Sequence, residues 1–170
     1  MFIDAANLER SVKDLEWKVN YRRLKAYFRS ACDLQEVRFY SVSFGSASHN
    51  EFLDSLRSKN YRVITKPLKV IKDEHLSGGE QRKANFDVEI AVDAMEYIDA
   101  YDTIVLFSGD SDFDYLLKKL RDKDKYTIVV STRYHISKEL IRSSHRYIDL
   151  KKLKQKIARK TKSPSFATGS

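Results

Sequence analysis

Thr103-Ile104-Val105-Leu106-Phe107, followed by Ser108-Gly109-Asp110-Ser111-Asp112-Phe113-Asp114, is the stretch on which the fold turns. A short apolar run rich in β-branched side chains and stopped by Ser-Gly reads as a strand buried on both faces, the habit of a parallel sheet. The acids after it then stand at a strand's carboxyl end, where open α/β sheets bind their ligands. The chain start repeats the pattern: Phe2-Ile3-Asp4, then Ala5-Ala6-Asn7.

Between and beyond these two runs, apolar strands alternate with amphipathic helices. Further strands are expected at 37–44, 61–65, 126–131 and, briefly, 147–148. Helices are expected at 8–15, 21–31, 50–59, 85–100, 112–123 and 137–144. Asn20 caps the second of these, with Leu24 and Phe28 on its apolar face. A polar segment at 72–82 containing Gly78-Gly79 reads as the one long loop. Regular β/α alternation predicts a mainly parallel sheet between two helical layers. If the strand order is 3-2-1-4-5, the first and fourth strands are neighbours and their terminal acids meet.

The 170 residues fit one domain, which at this size buries roughly 70% of its unfolded surface. A hydrophobic content of 42% with 12% aromatics excludes a disordered chain, although 33% of the residues are charged. No apolar run approaches the ~20 residues that cross a bilayer, and the acid at position 4 does not suit a signal sequence. Cys32, the one cysteine, has no partner for a disulfide, and its place four residues after Phe28 predicts a core thiol. A cytoplasmic protein without membrane contact is expected.

The net charge of +8 is uneven. Residues 151–170 carry seven bases and no acid, leaving +1 for residues 1–150. A body over 1–150 and a basic C-terminal helix or tail over 151–170, disordered at its end, are therefore expected. Lys151, Lys152, Lys154, Lys156 and Arg159 suit either a solvated helix face or an arm that contacts phosphates.

Three acid-bearing segments can meet at the strand ends. Asp4 suits a metal ligand or a helix cap; Asp110 and Asp112 offer the same two readings. The helix Lys83-Ala84-Asn85-Phe86-Asp87-Val88-Glu89-Ile90-Ala91 places Asp87 on the stripe of Ala91, Ala94 and Ile98, where an acid needs a partner or a cation. Glu89, Asp93 and Glu96 share the opposite, solvated stripe, so Asp93 is a second-rank candidate. Acids clustered without a cation raise one another's pKa, whereas Mg2+, or Mn2+, would offset the repulsion and serve phosphodiester hydrolysis. Asn7 could orient a phosphate, Ser108 hydrogen-bond an acid, and Lys83 neutralise developing charge. Gly109 permits a tight turn with backbone close to a ligand.

Ile3-Asp4-Ala5-Ala6-Asn7-Leu8, Lys83-Ala84-Asn85-Phe86-Asp87-Val88-Glu89 and Ser108-Gly109-Asp110-Ser111-Asp112-Phe113 together resemble the NYN domain family, in its bacterial LabA-like branch. The resemblance runs over most of residues 1–150, through Ser137-Lys138-Glu139-Leu140 and Tyr147-Ile148-Asp149-Leu150. It implies a PIN-like three-layer α/β/α sandwich, strand order 3-2-1-4-5, and an acidic centre for Mg2+- or Mn2+-dependent RNA cleavage. Carried over by position, the catalytic and metal-binding acids are Asp4, Asp87, Asp110 and Asp112. Asn7 supports them, and Asp114 is a further acid that some relatives use. PIN-like domains often pair, so a homodimer is an expectation as well. Ala5 departs from the pattern, which more often has Gly there. The alternative within the fold is a non-catalytic module that binds RNA or a protein.

Other classes fit less well. A haloacid-dehalogenase-type phosphatase needs an acid at position 6, which is Ala, and a dinucleotide-binding domain needs glycines where Ala6-Asn7-Leu8-Glu9 stands. Toprim folds share the Asp-x-Asp pair but need a Glu where Asp4 is. The four histidines have no zinc spacing; His135, after a strand end, reads as a solvated loop residue.

Overall fold

The computed structural model describes the backbone of residues 1–72, 80–83 and 85–160, and side chains outside 69–84. In chain order the strands are β1 (Phe2–Asp4), β2 (Arg38–Ser43), β3 (Arg62–Pro67), β4 (Lys69–Lys72), β5 (Glu80–Lys83), β6 (Thr103–Phe107), β7 (Tyr126–Ser131) and β8 (Arg146–Asp149). The helices are α1 (Ala5–Asp14), α2 (Tyr21–Ala31), α3 (Ala47–Arg57), α4 (Asp87–Glu96), α5 (Asp114–Arg121), α6 (Lys138–Ser143) and α7 (Leu150–Ile157).

Six strands form one all-parallel sheet in the order β3-β2-β1-β6-β7-β8. Counted within the sheet this is the expected 3-2-1-4-5, with β8 as a sixth strand at the edge. Side-chain alternation splits the core in two. Ile3, Phe39, Val105, Phe107 and Val130 pack against Leu8, Val12, Leu24, Phe28, Leu153 and Ile157 of α1, α2 and α7. Phe2, Tyr40, Ile104, Leu106 and Val129 face Ile90, Ala94, Leu116, Leu117, Leu120 and Leu140 of α4, α5 and α6. The result is the three-layer α/β/α sandwich.

The expected loop at 72–82 is a strand at both ends. Lys69–Lys72 pairs antiparallel with Glu80–Lys83, and 73–79 lies outside the described residues. The helix expected over 85–100 is shorter: α4 ends at Glu96 and a 3-10 turn, Ile98–Ala100, follows. Cys32 is exposed, contrary to the expected core thiol. Helix α2 stops at Ala31 and Cys32 takes extended backbone (φ −159°, ψ 166°), so helical spacing from Phe28 no longer sets its direction.

The basic segment after residue 150 begins as α7, which docks on the body. Leu150, Leu153 and Ile157 are buried, each such side chain worth about 1.5–3 kcal/mol of burial. The Arg23 guanidinium donates to the carbonyls of Gln155 (2.7 Å) and Ala158 (2.8 Å), and the Asn20 amide donates to Ile157 (2.7 Å). The body thus continues through this helix, whose Lys151, Lys152, Lys154 and Lys156 stay exposed. Arg159, also exposed, donates through Nε to the Val19 carbonyl at 3.2 Å. The end expected to be disordered, 161–170, lies outside the described residues. Among the described residues no helix is long and apolar enough to cross a membrane.

Candidate metal centre

Chain connections leave β1 toward β2 and leave β6 toward β7, so the crevice between β1 and β6 is the topological switch point of the sheet. Both strands end there in the turns that carry acids.

Asp4 is the last residue of β1 and the N-cap of α1. Its Oδ1 accepts from the amides of Ala6 (3.0 Å) and Asn7 (3.3 Å), and its Oδ2 from Asn7 Nδ2 (2.5 Å). Burial raises its pKa; the donors of Asn7 and Ala6 oppose the shift, and Asp110 adds to it. Asn7 also accepts from the Gly109 amide through Oδ1 at 3.4 Å. One side-chain amide therefore ties the turn after β1 to the turn after β6.

After β6, the buried Ser108 accepts from the Asp110 amide through Oγ at 3.3 Å. Asp110 in turn caps the 3-10 turn Ser111–Phe113 by accepting from the Asp112 amide at 3.1 Å. Asp87 opens α4 and accepts from Asn85 Nδ2 at 2.7 Å. Carboxylate oxygens of Asp87, Asp110 and Asp112 all lie within 4.8 Å of one another. The pKa of Asp87 is pushed up to about 6 by burial first, then by Asp110, Asp4 and Asp112; Lys66 pulls the other way.

Three acids thus converge, and Asp4 sits buried beside them with its oxygens engaged in capping. The donor set is wholly hard oxygen, which fits Mg2+ or Mn2+ and not a thiolate-loving metal. Among the described side chains no Lys or Arg forms an ion pair with Asp87, Asp110 or Asp112.

Two expected supporting acids belong elsewhere. Asp93 is neither solvated nor at the cluster: it accepts from the buried Arg38 guanidinium (2.7 Å) and from Tyr40 Oη (2.7 Å). Asp114 accepts from Lys118 Nζ at 2.6 Å and from Ser143 Oγ, holding α5 to α6. Lys118 and then Ser143 keep its carboxyl below the usual range. The side chain of Lys83 lies outside the described residues. Asn85, in the same motif as Asp87 and bonded to it, is a site residue that the sequence pattern does not mark. Lys66, with Nζ 2.6 Å from Glu89 and 4.5 Å from the Phe86 ring centre, is the described cation that acts on Asp87.

Gly109 is required by packing. A Cβ there would lie 1.9 Å from the His135 carbonyl oxygen and 2.7 Å from Ser131 Oγ. The close approach expected toward a ligand is thus made to the backbone after β7, where Ser137 donates to the Gly109 carbonyl at 3.0 Å. Gly109→Ala is expected to cost about 1–3 kcal/mol, the usual range for an overpacked site, in a urea melt. It should also depress any activity of the cluster, because relief of the clash moves the acid-bearing turn. Asn7→Ala should leave the fold intact and weaken divalent-ion affinity by about 10–100-fold, as loss of an orienting partner does; isothermal titration with Mn2+ would read it.

A groove of about 1130 Å³ opens at the other edge of the sheet, lined by Phe28, Cys32, Arg38, Tyr97 and Tyr126 among others. It lies at the amino ends of the strands and contains none of these acids.

A doubly wound α/β domain with a hard-oxygen carboxylate cluster at its switch point is the class that this geometry defines. Residues 1–151 match the NYN domain, and the chain belongs to that family, whose PIN-like members are typically nucleases. It is 36% identical to the Low amplitude and bright protein LabA of Synechococcus elongatus, over 99% of this chain and 91% of the relative. A crystal structure of a protein of unknown function from Vibrio parahaemolyticus shares the fold. Its TM-score is 0.70 at 20% identity, over 88% of this chain and 90% of that one.

Proposed function

We propose that the protein is a divalent-metal-dependent ribonuclease that hydrolyses RNA phosphodiester bonds at the cluster of Asp87, Asp110 and Asp112. The observation that carries this reading is the convergence of three carboxylates from α4 and the turn after β6 to within 4.8 Å. Asp87, Asp110 and Asp112 would hold Mg2+ or Mn2+, which would supply charge stabilisation at the phosphoryl oxygens and an activated water. The chain's own part is to hold the acids: Asn85 orients Asp87, Ser108 fixes the Asp110 turn, and Asn7 joins that turn to Asp4. The exposed lysines of α7 add phosphate contacts. Changing Lys151, Lys152, Lys154 and Lys156 to Glu should lower RNA affinity and flatten its salt dependence, by about 0.7 in log–log slope per lost contact. The exposed, unpaired Cys32 suits a reducing cytoplasm.

The test is cleavage of a labelled RNA by wild type and Asp110→Asn, with Mg2+, with Mn2+ and with EDTA. Metal-dependent cutting lost in the variant supports the reading. Equal cutting by both places the chemistry elsewhere, and no cutting by either across several RNAs favours a binding module.

A further inference from the structure

The two strands that bracket the acid-bearing pair each deliver an exposed aromatic ring at the same edge of the sheet. Phe44 directly follows β2, and Tyr134 is the third residue after β7; in the sheet β2 flanks β1 and β7 flanks β6. Phe44 is 59% exposed and Tyr134 82%. With strands about 4.8 Å apart, three intervals put the two strand ends roughly 14 Å from one another, with the acids between. Lone exposed aromatics are ordinary; a pair on opposite flanks of a charged cluster is not explained by folding.

Both rings stand on anchored backbone. Phe44 meets the His49 ring edge-on at 4.8 Å; His49 Nε2 is 2.7 Å from the Val42 carbonyl, and Gly45 (φ +71°) turns the chain away. Tyr134 rides on a turn closed by the amides of His135 and Ile136, which donate to the Thr132 carbonyl at 3.1 and 3.0 Å. That turn is pinned to the acid-bearing one by the Ser137 amide, which donates to Gly109, and to α1 by His135 Nε2, 2.6 Å from Asp14 Oδ2. The exposed Arg133 places a cation next to Tyr134.

We propose that Phe44 and Tyr134 are base-stacking residues that seat an unpaired RNA strand across the acidic turns, so that the site takes single-stranded RNA in preference to duplex. The proposal rests on the ribonuclease reading for its choice of RNA. Unpaired bases offer their faces to aromatic rings, whereas bases inside an A-form helix are already stacked and paired.

The experiment uses the full chain in EDTA, so that binding is read without cutting. A short unstructured RNA bearing 2-aminopurine, and the duplex of the same sequence, are titrated by anisotropy and by base fluorescence. Wild type should prefer the single strand and quench the 2-aminopurine. Phe44→Ala and Tyr134→Ala should each weaken single-strand binding about tenfold, in line with the loss of one stacked base, with duplex binding and salt slope unchanged. Both positions are exposed, and a thermal melt confirms that the variants fold. No strand preference in wild type, or variants that bind the single strand like wild type, would overturn the proposal. Equal losses for single strand and duplex would overturn it too. Loss of preference in the variants while wild type cuts nothing with Mg2+ would sustain stacking and sink the nuclease reading. Intact cutting with unchanged binding in the variants would do the reverse.

Discussion

Asp110→Asn is expected to lose more than about 100-fold of metal-dependent cleavage, beyond the 10–100-fold typical of an orienting partner, yet to melt higher than wild type in EDTA at pH 7. The two effects share one cause. Asp110 is the leading charge that, after burial, pushes the pKa of Asp87 up to about 6. A carboxyl whose folded pKa lies above its unfolded value binds more protons when folded between about pH 4 and pH 6. Its contribution to stability is fully present below that window and is lost as pH rises through it, so at pH 7 the metal-free cluster is a standing cost. Removing the Asp110 charge lets Asp87 ionise more easily and lessens that cost. Asn is the right substitution because its Oδ1 can still accept from the Asp112 amide, the 3.1 Å bond that caps the turn.

Each kcal/mol recovered is worth about 2–4 °C in a chain of this size, within reach of calorimetry. A saturating divalent ion should raise the melting temperature of wild type and do little for the variant. A variant that melts below wild type in EDTA would mean that Asp110 does not repel Asp87, and one that gains as much from Mg2+ would mean that Asp110 does not hold the ion.

The parts of the fold that sequence made legible are those set by local pattern. Ile104-Val105-Leu106-Phe107 had to be a doubly buried strand, and the acids that end β1 and follow β6 had to lie at one edge once the strands were parallel. What escaped depended on partners far along the chain. Asp93 sits on the charged face of α4 and looked solvated because its partner, Arg38, is 55 residues away in a strand. Asp114 looked like one more acid of the cluster because Ser143, 29 residues on, cannot be foreseen from the turn. Asp4 shows a different limit, since a capping carboxylate and a metal ligand share the same sequence pattern. In the structure its oxygens cap α1 while its charge still bears on Asp87. Cys32 departs from expectation for a simpler reason: it is the extended cap just past α2, where helical periodicity no longer holds.

Asp93→Ala is expected to destabilise the fold by about 3 kcal/mol or more, the cost of leaving a buried charge without its partner. Arg38 is 3% exposed. Its guanidinium reaches Asp93 at 2.7 Å and Glu36 at 3.1 Å, and lies 3.9 Å from the Tyr97 ring centre. Burial works against its charge, but Tyr97, Glu36 and the groups on Tyr40 and Asp93 outweigh that and hold it ionised. One guanidinium nitrogen, Nη2, already has no partner. With Asp93 gone, Nη1 loses its acceptor and Tyr40 Oη loses the same one, so two buried donors join it. Glu36 remains, which keeps the loss near the lower end of the usual 3–5 kcal/mol. Both donors share Asp93 Oδ2, so Asp93→Asn keeps one oxygen that can accept from both, loses only the charge, and should cost roughly half as much. The pair also anchors α4 to β2, and Asp87 begins that helix. Cleavage by Asp93→Ala should therefore fall even at temperatures where the variant is folded, with divalent-ion affinity falling alongside it. Urea melts of the two variants, read beside Mn2+ titrations, check both halves. A loss below about 1 kcal/mol, the scale of an exposed ion pair, would show that Arg38 is satisfied without Asp93 and that α4 is held by its apolar face alone.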